Sequence, residues 1–186
     1  MATALNHPPA AKRWTFADLM QFDETERYEI YDGRLIPMAP APNLYHQRIA
    51  GRLHLLLSAF VQTGELGEVL FAPVDVVMSE ENTAQPDLLF IAKENAGIAQ
   101  NLVSGAPDLV VEILSPSSIR RDRYEKQEQY ARFGVKEYWI VDPANRSLEI
   151  LTLQDKRFAV HSSAVETGEA ASHVLAGLIV DVAQLF

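Results

Sequence analysis

"PDLVVEILSPSSIRRDRYEKQEQYARFGVKEYWIV", residues 107 to 141, decides the fold. Its two ends, LVVEIL at 109–114 and EYWIV at 137–141, are short runs of β-branched, aromatic and other apolar residues, the composition of buried strands. The segment between them predicts a helix over about 117–133, stopped by Gly134. Strand, crossover helix and strand imply a right-handed connection and two parallel strands, and with them an α/β class.

Further strands are expected on both sides of this unit. Upstream, YEIYDGRLIPM reads as a hairpin turning at Asp32-Gly33. A helix from Asn43 to Gly64 carries an apolar stripe at positions 49, 53, 56, 57 and 60. Strands follow at 68–78 and 88–91. Downstream, SLEILTL and RFAVH form a second hairpin around QDK, and the closing VLAGLIVDVAQLF is apolar enough to pack on the body. WTFADLMQF is a short helix capped by Thr15 with Asp18 three residues on. Residues 1–13 are expected as a flexible tail, and 14–186 as one domain of a size a single core supports.

The formal net charge of −9 argues against coating nucleic acid through a general basic field. Charge is nevertheless segregated. Residues 64–94 hold seven acids against one base, whereas 117–136 hold six bases against three acids. The chain has no cysteine, which excludes disulfides, thiolate metal sites and cysteine nucleophiles. Any metal must be held by carboxylates, imidazoles or carbonyls, a donor set that favours Mg²⁺ or Mn²⁺. No apolar run approaches the roughly 18 residues of a membrane span, and the amino terminus lacks an apolar signal core, so a cytoplasmic protein without a membrane partner is expected.

Glu112 sits in the middle of an apolar strand. Alternation puts Val110, Glu112 and Leu114 on one face and Leu109, Val111 and Ile113 on the other. A carboxylate there needs a cation or hydrogen-bond donors, either at a buried site or as a salt bridge near a strand end. Asp87, behind Pro86, stands at the entrance of the strand at 88–91, a position that also suits a simple turn. Two such acids on neighbouring strands can share a divalent ion. On the crossover helix Ile119, Asp122, Lys126, Tyr130 and Phe133 fall on one inward stripe. That stripe turns Asp122 and Lys126 toward the body, where charges are costly unless used or paired. Glu29, in the first hairpin, is explained equally well by edge solvation. His46, at the start of its helix, reads as a boundary residue or as a metal ligand or base. Asp75 invites the same caution.

PDLLF, PDLVVEILSPSS, DRYEKQEQY at 122–130, GVKEYWIVDP and the early YEIYDG followed by His46 together resemble the Uma-two family of restriction endonuclease-like proteins, of the PD-(D/E)XK nuclease superfamily. The resemblance covers about 14–186 and implies a restriction-endonuclease-like fold: a central mixed β-sheet flanked by helices, with an N-terminal hairpin. It makes Asp87 and Glu112 the signature acids and metal ligands. The signature lysine would fall at position 114, where this chain has leucine; Lys126 is the residue whose spacing and inward face suit that duty. Glu29, His46 and Asp122 become additional site positions. The implied activity is Mg²⁺-dependent (or Mn²⁺-dependent) hydrolysis of DNA, with Arg120, Arg121 and Arg123 meeting backbone phosphates and a homodimer supplying two centres. Two other readings stay open. One is a catalytically degenerate nuclease fold serving as a nucleic-acid-binding or assembly module, motivated by Leu114 and the acidic charge. The other is a metal-free acid–base hydrolase using Glu112 and His46, ranked last because no nucleophile elbow is present.

Overall fold

The computed structural model describes residues 12–23 and 26–186, so residues 1–11 of the expected tail lie outside the described residues. The remaining two tail positions are pinned down: Arg13 Nε donates to Glu81 at 2.7 Å, and Lys12 pairs with Asp18 at 3.1 Å. Thr15 caps α1 (Phe16–Leu19) in a reciprocal capping box with Asp18, as its sequence spacing predicts. The first hairpin, β1 (Tyr28–Tyr31) and β2 (Arg34–Pro37), turns through Asp32 and Gly33, both at positive φ. That left-handed pair matches the twist of the flanking strands. Asn43 caps α2 (Leu44–Thr63) by accepting from His46 N at 2.9 Å, and Gly64 ends it. Ile49, Leu53, Leu57 and Val61 form the helix's buried stripe.

The run expected as one strand over 68–78 is two. β3 (Gly67–Phe71) stops before Ala72-Pro73, since proline cannot donate to a ladder, and the chain changes sheet. It resumes as β4 (Val76–Ser79), which pairs with β5 (Asn82–Ala84) and later with β7 (Val103–Ser104). Between them runs β6 (Leu88–Ala92). The decisive stretch then folds as β8 (Leu109–Ile113), the crossover helix and β9 (Glu137–Asp142), with β8 and β9 parallel. β10 (Ser147–Gln154) and β11 (Arg157–Val165) make the second hairpin, and β12 (Glu169–Ala171) pairs with β13 (Ile179–Asp181). The central sheet has the order β11-β10-β9-β8-β6-β3, antiparallel except at β8/β9: a mixed α/β sheet.

Period-two alternation divides the core between the two sheet faces. Leu109, Val111 and Ile113 pack with the α2 stripe, Trp139 and the closing Leu175, Leu178, Val180 and Leu185. Val110 and Leu114 pack on the other side with Tyr130, Tyr138 and Ile140. Each such side chain contributes about 1.5–3 kcal/mol by leaving water. Glu112 belongs to the second face, under the crossover helix. That helix departs from a regular α-helix: Arg121–Lys126 wind in wide π-type turns before α3 (Gln127–Phe133).

Gly67 starts β3 at φ +148°, where a Cβ would stand 2.1 Å from the Ile91 carbonyl oxygen. Gly67→Ala is expected to cost about 3 kcal/mol through backbone strain and overpacking. A urea midpoint unchanged from wild type would contradict this account.

Candidate active site

Register brings the two strand acids together. β6 and β8 pair Leu88 with Val111, Leu89 with Val110 and Phe90 with Leu109, so one further step sets Asp87 beside Glu112. Asp87 Oδ2 accepts from Ile113 N at 2.7 Å, which fixes the carboxylate at the end of β8. From the first turn of α2, His46 Nε2 donates to the Ile113 carbonyl at 3.1 Å and lies 3.3 Å from Asp87 Oδ2. Its Nδ1 is buried without a hydrogen-bond partner among the described residues.

The crossover helix supplies the cation. Lys126 is 6% exposed, and its Nζ donates to Glu112 Oε1 at 2.7 Å, with Glu29 Oε1 at 3.4 Å and Asp122 Oδ1 at 3.7 Å. Tyr130, one turn further, donates its hydroxyl to the same Glu112 oxygen at 2.7 Å. Glu29 is 1% exposed, so edge solvation does not explain it. It accepts from Gln85 N at 2.7 Å and pairs with Arg121 and Lys126. Its strand is covered by the crossover helix rather than facing water: Gln129 Nε2 donates to Ile30 O at 3.1 Å.

Electrostatics follow from burial and crowding. Burial pushes the Glu112 carboxyl well above its ordinary range; Lys126 opposes that shift, while Asp122, Asp87 and Glu29 reinforce it. Burial also raises Asp122. For Lys126 burial favours the neutral amine, but Glu112, Glu29 and Asp122 together outweigh it and keep the ammonium protonated. Burial lowers the proton affinity of His46, and the hydrogen bond to Asp87 more than restores it, leaving the ring more basic than usual.

These groups line a cleft of about 470 Å³. Its four carboxylates, Glu29, Asp87, Glu112 and Asp122, face three cations, Arg27, Arg121 and Lys126, so carboxylate oxygens and negative charge are in excess by one. Carboxylate and carbonyl oxygens are the donors Mg²⁺ prefers, so the residues fit one in donor chemistry. As the side chains lie, no group of three or more His, Asp or Glu among the described residues forms a ready-made cage.

The predicted arginines part ways. Arg121 is engaged by Glu29, and Arg123 donates to Glu149 Oε1 at 2.7 Å with Asp142 Oδ2 at 3.8 Å. Both are committed to carboxylates, while Arg120 is exposed. Asp75 accepts from Gln85 Nε2 at 2.7 Å, beside the site rather than in it. Ile119, expected at the inward end of the helix stripe, is 42% exposed: the wide turns that follow rotate it outward, while Asp122, Lys126 and Tyr130 stay buried. Sequence reasoning missed Tyr130 as a partner of Glu112, although its place four residues after Lys126 with a polar tip was the available signal. Gln85 carried no such signal, since its contribution to Glu29 is a backbone N–H.

A mixed sheet with helices on both faces and acids on adjacent strands, joined by a lysine from the crossover helix, defines the restriction-endonuclease-like class. The chain belongs to the Uma2 family, described as "Putative restriction endonuclease", whose profile matches residues 14–183. A solved structure described as "a putative nuclease belonging to DUF820" from Anabaena variabilis shares the fold: TM-score 0.75 at 17% identity, covering 92% of this chain and 97% of that one. No curated protein matches. Among the described residues no helix is long and apolar enough to cross a membrane.

Proposed function

We propose that the protein is an endonuclease that hydrolyses phosphodiester bonds of DNA with Mg²⁺, or Mn²⁺ in its place. The observation that carries the reading is the buried Lys126 ammonium 2.7 Å from Glu112, on the sheet end where Asp87 is fixed by Ile113 N. Asp87 and Glu112, with the Ile113 carbonyl, would hold the metal. When bound, the metal polarises the phosphate and lowers the pKa of a coordinated water. Asp87 presents its carboxylate toward the cleft while Ile113 N holds one oxygen. Tyr130 and Lys126 both grip one oxygen of Glu112, which fixes how the other is presented. The Lys126 ammonium stabilises charge growing on the transferring phosphate, in a cleft where that interaction is weakly screened. Glu29 and Asp122 keep Lys126 protonated, and of the three helix arginines Arg120, Arg121 and Arg123 it is Arg120 that is left to meet a neighbouring phosphate. A homodimer in the cytoplasm suits cutting of both strands.

The test is supercoiled plasmid incubated with purified protein in Mg²⁺, in Mn²⁺ and in excess chelator. Nicking and linearisation with either metal, abolished by chelator, are expected; cutting that persists in chelator would overturn the metal-dependent mechanism. A second reading, a nuclease fold that binds without cutting, draws on Leu114 at the signature lysine position and on the lack of a ready-made metal cage. It predicts no Mg²⁺ binding by calorimetry and unimpaired stability in Glu112→Gln.

A further inference from the structure

Next to the carboxylate cleft lies a second pocket of about 330 Å³ with a different character. Its lining is largely apolar, with Tyr45, Leu114, Pro116, Ile119 and Pro143 beside one carboxylate, Asp142, and it shares Pro42, Asn43, His46 and Ser115 with the cleft. The two are therefore continuous: Ile113 faces the cleft and Leu114 the pocket. Tyr45 and Ile119 both line it, 38% and 42% exposed, and the Tyr45 ring meets no other aromatic among the described residues. An occupant that is itself apolar-faced and reaches the charged centre would cover both features at once.

Charge narrows the choice. The chain carries −9 overall, and Arg121 and Arg123 are already paired, so a duplex held through many phosphate contacts has few cations to meet. Two arginines follow its lining residues closely in the chain: Arg48, one helical turn after Tyr45, and Arg120, next to Ile119. Both are exposed, and neither makes an ion pair among the described residues. A flat apolar base between Tyr45 and Ile119, with its own phosphates near Arg48 and Arg120, satisfies both features at once.

We infer that this pocket receives one unpaired nucleobase adjacent to the scissile phosphate, which makes the preferred substrate single-stranded DNA or a duplex with an extruded nucleotide. The inference rests on the nuclease reading above and adds where affinity originates: stacking on Tyr45 rather than a field of phosphate contacts.

The test measures binding, with cutting suppressed. Fluorescence anisotropy of labelled 12-nucleotide DNA strands is recorded in excess chelator with the full chain, an abasic nucleotide being moved through the strand. Wild type is expected to lose about tenfold in affinity when the abasic nucleotide reaches one position, and to bind the fully paired duplex more weakly than the single strand. Tyr45→Ala is expected to bind the intact strand about tenfold more weakly and to stop sensing the abasic position, while Tyr45→Trp restores both. The logarithmic salt slope should be near −1.4 and flatten by about 0.7 in Arg120→Gln, the share of one phosphate contact on a single strand. Equal affinity wherever the abasic nucleotide sits would overturn the inference. So would a dimer seen by sedimentation that Tyr45→Ala dissociates, because a second copy would then cover the pocket. Base-sensitive binding without metal-dependent cutting would retire the nuclease reading and leave the pocket standing; metal-dependent cutting without base sensitivity would do the reverse.

Discussion

Lys126→Met is expected to lower Mg²⁺-dependent DNA cutting by about 10²–10³-fold, the loss typical when one preorganised group facing transition-state charge is removed. Methionine keeps the length and apolar stem of lysine, so packing under the crossover helix is largely retained. The informative contrast is with the metal. Removing the ammonium increases the negative excess in the cleft, since Glu29, Glu112 and Asp122 all lean on it. Mg²⁺ affinity, read by calorimetry, should therefore be kept or tightened while cutting collapses. Asp87→Ala, which deletes a proposed ligand, should lose affinity and cutting together. Parallel loss of both properties in Lys126→Met would show that the lysine only holds the carboxylates in place.

Glu137→Ala is expected to be the most damaging single change to stability outside the cleft. Glu137 is fully buried at the start of β9 and makes no ion pair among the described residues. Its carboxylate instead accepts from Trp139 Nε1 and Ser172 Oγ, both at 2.6 Å, and from His173 N at 2.6 Å and Val174 N at 2.9 Å. Those donors tie residues 172–174 to the central sheet just before Leu175, Leu178, Val180 and Leu185 enter the core. Alanine leaves four donors facing a void. Each unsatisfied donor costs about 1–3 kcal/mol, and entering water recovers part of it, so a net loss of about 3–5 kcal/mol is expected. For a chain of this size that lowers Tm by about 6–20 °C. Hydrogen exchange should rise first across 172–185. A melting curve superimposable on wild type would rule out the staple.

The parts of this molecule legible in the sequence are those governed by a period. Alternation placed Glu112 on the face opposite Leu109, Val111 and Ile113, and helical spacing turned Asp122, Lys126 and Tyr130 inward; both arrangements are present. The parallel β8/β9 pair followed from the order strand, crossover helix, strand. What escaped depends on what covers an element. Glu29 alternates like any edge residue, and only the packing of Gln129 over its hairpin reveals that the strand is enclosed. Ile119 obeyed its spacing until the helix widened, and no residue type announces a π-type turn. Pro73 did announce the break between β3 and β4, yet the apolar run on both sides concealed it. Glu137 was silent because three of its four partners lie more than thirty residues away, two of them backbone N–H groups, for which residue type carries no information.

Asp87 and Glu112 face each other because β6 and β8 are antiparallel neighbours, and the chain between those strands, from Lys93 to Asp108, leaves and re-enters on its own side excursion. Length changes within that excursion leave the facing acids untouched, whereas one residue lost from β8 would swap Glu112 for an aliphatic neighbour. Insertions or deletions in that detour, at the far end of both strands from the acids, are thus expected to leave the cleft's lining in place while the ladder keeps the two acids in step.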